Sequence, residues 1–254
     1  MDYEIKQAGK FKYIEEGTGE PLVLLHGLFG ALSNFKDLVD HFKNTHKVII
    51  PLLPLYDLTL IETSVSGLAR YVTKFIEQQK LRDIHLLGNS LGGHIGLVYA
   101  LKHQELIRTI TLTGSSGLFE TGLGDTYPKR GDYNFVQTKT ELTFYDPKVA
   151  TKELVDEVFS IVNNRMKALK IIALARSAIR HNLGDELKEI KVPVCLIWGN
   201  NDTITPPMVA EEFHKLLPTS ELFWIDKCAH APMMEVPDEF NAILSSFLKK
   251  HKKP

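Results

Sequence analysis

The apolar positions of this chain fall into two rhythms that take turns along its length. Short apolar runs at residues 22–25, 48–53, 84–87, 107–112, 192–199 and 221–226 have the length and side-chain type of buried strands. Between them, apolar residues recur every three or four positions. Phe35, Leu38, Val39 and Phe42 form one such set, and Val65, Leu68, Ala69, Val72, Phe75 and Ile76 another, with Thr63 and Ser64 available as caps. Val209, Phe213, Leu216 and Leu217 make a third, and Phe240, Ile243, Leu244, Phe247 and Leu248 a fourth. Each set lays one apolar stripe along a helix. Residues 3–6 and 10–15 read as two short strands around Ala8-Gly9, an antiparallel lead-in to the sheet.

This alternation predicts an α/β fold with a mostly parallel, doubly wound sheet. The rhythm breaks after Gly114. A loop rich in Gly, Ser and Thr is followed by two helical segments, near residues 148–163 and 166–180, and no strong strand intervenes. Crossovers between neighbouring strands are far shorter than this. Residues 115–182 are therefore expected to form an inserted helical lid over the carboxyl edge of the sheet, with 1–114 and 183–254 as the core.

Composition narrows the possibilities without choosing among them. With 254 residues, 44% hydrophobic, 24% charged and a formal net charge of -1, the chain can bury a sizeable core and offers no electrostatic case for nucleic acid. The first residues carry charges throughout and lack the apolar centre of a signal peptide, and no apolar run approaches the ~18 residues of a membrane span. A cytoplasmic protein with no membrane partner is expected. Cys195 and Cys228 do not make a disulfide framework, and Cys195 reads as a small buried hydrophobe. The closing KKHKKP reads as a solvated helix end.

The chemistry concentrates at LLGNSLGG, residues 86–93. A strand runs into Ser90 and a helix, LGGHIGLVYALKH, runs out of it. The turn between them is so tight that glycine is required at Gly88 and Gly92. Gly92, Gly93 and Gly96 also let that helix pack close to the sheet. A serine hydroxyl at neutral pH needs an adjacent base and a group that orients the base. In wound sheets such partners sit in loops just after strands, at the carboxyl edge. Of the ten histidines, His230 lies in such a loop after a late strand. His26 opens the HGLFG loop, His85 lies inside a strand, and His94 sits one turn past Ser90, pointing away from the elbow tip. His103, His214 and His251 fall in helical patterns. Asp202 follows the strand ending at Gly199 and is preferred to Asp226, which ends a strand. Backbone N–H groups of Leu91 and of Leu28 in HGLFG are the candidate oxyanion donors, with His26 holding that loop. No H-x-x-x-H or clustered Cys/His spacing points to a metal.

Taken together and in order, HGLFG, GNSLGG, WGNNDTITP and KCAHAPMMEVPDEFN resemble the signatures of the α/β-hydrolase family over nearly the whole chain. The resemblance implies a Ser90/Asp202/His230 triad in the family's chain order, a helical lid and no cofactor. GNSLGG, Asn34 and PDEFN are similar to the meta-cleavage-product hydrolases, which break carbon–carbon bonds. This chain departs from them at Ala231, where tryptophan is common, and no single arginine among Arg165, Arg176 and Arg180 matches their carboxylate reader. It also lacks the wider family's D-x-x-G-x-G-x-S stretch after VIIPLLPLY, and Ser90 stands where haloalkane dehalogenases use aspartate. The reading is a serine hydrolase acting through an acyl-enzyme on a small or medium, largely apolar ester. The alternatives are a C–C bond hydrolase and a slow-turnover ligand receptor on the same fold.

Overall fold

A computed structural model describes residues 3–30, 32–119 and 131–252. The part of the expected lid at 120–130 and the last two residues of the basic tail lie outside the described residues. The body contains strands β1 (Lys6–Ala8), β2 (Phe11–Glu16) and β3 (Glu20–Leu25), helix α1 (Lys36–Phe42), strand β4 (His46–Pro51), helix α2 (Val65–Gln79), strand β5 (Ile84–Asn89), helix α3 (Leu91–His103) and strand β6 (Ile107–Thr113). Among the described residues, three helices follow without a strand: α4 (Tyr133–Glu141), α5 (Lys152–Asn163) and α6 (Arg165–Arg180). The body then resumes with β7 (Val194–Gly199), α7 (Pro207–Leu216), β8 (Ser220–Ile225), α8 (Pro232–Glu235) and α9 (Pro237–Lys250).

The strands form one eight-stranded sheet in the order β1-β2-β4-β3-β5-β6-β7-β8. The β1–β2 and β2–β4 pairs are antiparallel and every later pair is parallel. The α/β fold with a mostly parallel sheet is thus the one the sequence pattern predicts. Because successive strand residues point to opposite faces, strands buried on both faces read as continuous apolar runs. In β3, Val23 and Leu25 pack with α2 and α3, whereas Leu22 and Leu24 pack with α1 and α9. Each such leucine or valine contributes about 1.5–3 kcal/mol of burial, so the two half-cores hold the sheet between them.

Boundaries moved by a few residues. β1 and β2 begin later than expected, β4 begins at His46, and β7 begins at Val194 because Pro193 has no N–H for the ladder. The cap expected before α2 is present, with Ser64 Oγ accepting from Gly67 N at 3.1 Å. A larger departure is α4, in a stretch where the apolar pattern predicts loop. It buries only Val136 and Thr140, so its apolar stripe is too thin to register. Its side-chain N-cap is Asp132, and Thr151 and Asn164 cap α5 and α6 in the same way.

Candidate active site

Ser90 sits between β5 and α3 with φ 53° and ψ −122°, a conformation that costs a non-glycine residue about 1–3 kcal/mol. Its N–H donates to Thr113 O at 3.1 Å, and its carbonyl accepts from Gly93 N at 3.0 Å. Steric limits at the two flanking glycines are severe. A Cβ on Gly88 would lie 2.4 Å from the backbone of Gly93, and one on Gly92 would lie 1.9 Å from Leu25 O. The motif's spacing therefore follows from backbone crowding.

The HGLFG loop after β3 folds against this turn, since a Cβ on Gly27 would approach Ser90 Cβ to 3.2 Å. His26 is buried and fixes the loop in place. Its Nε2 accepts from Leu53 N at 3.2 Å, which leaves Nδ1–H to donate to Gly27 O at 3.0 Å. One neutral tautomer satisfies both bonds. Burial lowers the imidazole pKa and favours that neutral form. The loop-holding role expected of His26 is what these contacts describe.

The other two loops bring a carboxylate to an imidazole. His230 Nδ1 lies 2.9 Å from Asp202 Oδ2, and both residues are buried. A carboxylate only accepts, so Nδ1 carries the proton and Nε2 keeps its lone pair. Asp202 also accepts from Ile204 N at 2.8 Å, from Thr205 N at 3.0 Å and from Thr205 Oγ1 at 2.8 Å. Burial, the largest influence, raises its pKa, but the His230 imidazole and these hydrogen bonds outweigh it and the carboxyl stays below its usual range. Gly114, at φ 51°, leaves room for the ring: a Cβ there would meet His230 Nδ1 at 2.8 Å. Asp226, just past β8, is exposed. His94 Nε2 lies 3.0 Å from His181 Nδ1, and its Nδ1 lies 3.3 Å from Oγ of Ser116, whose N–H donates to Ser90 O at 3.3 Å.

Ser90, Leu91, Leu28 and His230 line one cavity of about 350 Å³, with Asp202 behind His230. Helical residues cover it: Phe135 and Val136 of α4, Val158 and Val162 of α5, and Ala175 and Ala178 of α6. Val136, Val158 and Val162 form a small separate core that packs on Phe29 of the HGLFG loop. Asn34 also lines the cavity, and its Oδ1 is buried without a hydrogen-bond partner among the described residues.

Three further groups, Thr205, Thr143 and Glu235, support the Asp202–His230 pair. Thr205 is three residues past Asp202, the spacing at which an Asp side chain caps the backbone beyond it, and that spacing was a usable signal. Thr143 O accepts from His230 N at 3.1 Å. Glu235 accepts from Ala229 N at 2.8 Å and from Tyr145 N at 2.6 Å, so it ties the histidine loop to the end of α4. Nothing local in the sequence marks these last two.

Known proteins share this fold. The family described as alpha/beta hydrolase fold matches residues 20–237. A crystal structure of an alpha/beta hydrolase enzyme from a sediment metagenome of the Mar Chica lagoon, Morocco, is 44% identical with a TM-score of 0.80, covering 97% of this chain and 98% of that one. Lipase 1 of Psychrobacter immobilis is 26% identical over 94% of this chain and 82% of its own length. The 2-hydroxy-6-oxononadienedioate/2-hydroxy-6-oxononatrienedioate hydrolase of Burkholderia vietnamiensis is 29% identical over 94% of this chain and 90% of its own. Among the described residues, no helix is long and apolar enough to cross a membrane.

Proposed function

The chain belongs to the α/β-hydrolase family and is a hydrolase, and from that premise we propose that it cleaves small or medium, largely apolar carboxylic esters through an acyl-enzyme on Ser90. The observation that carries this reading is the shared cavity: a strained serine on its floor, an imidazole oriented by a buried carboxylate at its side, and an apolar roof. In the proposed reaction His230 Nε2 takes the Ser90 proton as Oγ attacks the ester carbonyl. Asp202 holds the tautomer that leaves Nε2 free. Backbone N–H groups of Leu28 and Leu91 receive the negative oxygen, and the alcohol leaves with the proton from His230. Water, deprotonated by the same imidazole, then releases the acid. The helices over the cavity act as its lid and select the acyl group by shape.

A second reading, C–C bond hydrolysis, draws on one feature. Asn34 Oδ1 has no partner among the described residues and is an acceptor in the cavity wall, a place for a hydroxyl or enol donor that a simple ester lacks. A panel of p-nitrophenyl esters and a dienoate ring-fission product, run on wild type and Ser90→Ala, tests both. Ester turnover that vanishes in Ser90→Ala is expected. Cleavage of the dienoate alone would replace the ester reading, and unchanged ester turnover in Ser90→Ala would remove the serine mechanism.

A further inference from the structure

Strand register brings three potential metal ligands together at the amino edge of the sheet, the end opposite the candidate active site. Glu20 opens β3 and pairs with His46, which opens β4. His85 of β5 pairs with Leu22, two residues beyond Glu20. Paired residues and residues two apart share a face, so all three side chains stand on one side of adjacent strands. Their ligand atoms all lie within 4.8 Å of one another.

From this we infer that Glu20, His46 and His85 form a binding site for a divalent transition-metal ion of the zinc type. Two imidazoles and a carboxylate are a donor set suited to such an ion. The ring of His85 is 1% exposed, and its Nε2 is buried with no hydrogen-bond partner among the described residues. That atom lies 3.8 Å from Glu20 Oε2, beyond hydrogen-bond reach. Its other nitrogen, Nδ1, sits 2.8 Å from Thr109 Oγ1. With Nδ1–H donating to that hydroxyl, the Nε2 lone pair faces Glu20 and His46, the arrangement by which an outer hydrogen bond orients a metal-binding histidine. Glu20 and His46 are only half-buried and can draw in to the ~3.3–3.5 Å ligand spacing of a tetrahedral centre. Two cations lie near these ligands: Arg108 of β6, engaged by Asp83 at 3.0 Å, and Lys252, whose charge acts on His46.

The test is a titration of chelator-treated full-length protein with Co2+, read by its ligand-field absorption, followed by displacement with Zn2+. One saturable equivalent is expected, with the intensity of a tetrahedral site. Glu20→Gln and His46→Ala should each weaken it at least ~10-fold, and Thr109→Val by ~10–100-fold. His251→Ala, which alters a different histidine–glutamate pair, should leave it intact. Zn2+ should also shield the half-exposed His46 from acylation by diethylpyrocarbonate in wild type, a reading that needs no variant. Absence of saturable binding, or binding that survives both Glu20→Gln and His46→Ala, overturns the site.

Discussion

Helices α3 and α5 lie on opposite sides of the same cavity and are built on different terms. Every residue of α3 from Leu91 to Ala100 is buried, with Gly92, Gly93 and Gly96 letting its backbone press against the sheet. In α5 only Val155, Val158, Ile161 and Val162 are buried. Around it Leu142, Tyr145, Met166, Leu169 and Ile179 stand exposed. The body below the cavity is over-determined and fixes the reacting groups. The roof is held by a thin apolar stripe, so its side chains can change without unmaking the fold.

Substitutions on the two sides should therefore separate folding from selectivity. The largest effect belongs to Gly92→Ala, whose new Cβ would fall 1.9 Å from Leu25 O. It should cost about 3 kcal/mol or more, seen as a lowered urea midpoint together with lost activity. Next comes the acid response of the seam between the two regions, where His94 of α3 meets His181. Burial, and after it the His181 imidazole, lower the His94 pKa to about 3. A depressed histidine pKa means that the unfolded chain takes up the proton first, so stability is full above ~6.5 and falls as pH drops from there towards 3. Thermal unfolding across that window should show the loss, and His94→Gln should flatten it.

Smaller effects sharpen the contrast. Thr205→Val removes the hydroxyl donor to Asp202 Oδ2 and should lower kcat by ~10-fold with an unchanged circular dichroism spectrum. Val158→Ala, on the roof, should cost only about 1 kcal/mol. Its signature is a shift of the ester chain-length profile towards bulkier acyl groups. A Val158→Ala enzyme that unfolds like Gly92→Ala, or keeps the wild-type profile, would erase the distinction between floor and roof.

What the sequence made legible follows the same division. Features imposed by backbone crowding or by burial on two faces, such as Gly88–Ser90–Gly92 and the runs that became β3 and β5, leave dense local signals. Asp202 and His230 were readable because each occupies a short loop directly after a strand. Helix α4 was not, because two buried residues in nine make no period. Contacts made through register or between distant loops, including Glu235 with Tyr145 and Glu20 with His46 and His85, have no local pattern to read.

The bonds from His230 N–H to Thr143 O and from Tyr145 N–H to Glu235 bear on how this enzyme can be re-engineered. The roof invites wholesale exchange, as a cassette cut where the strands resume. Such a graft would carry away two of the braces that hold the His230 loop, so a chimera with a perfect new pocket would hold that imidazole poorly. The practical joint lies inside the block, after α4, so that residues 142–146 stay with the scaffold while α5 and α6 are swapped.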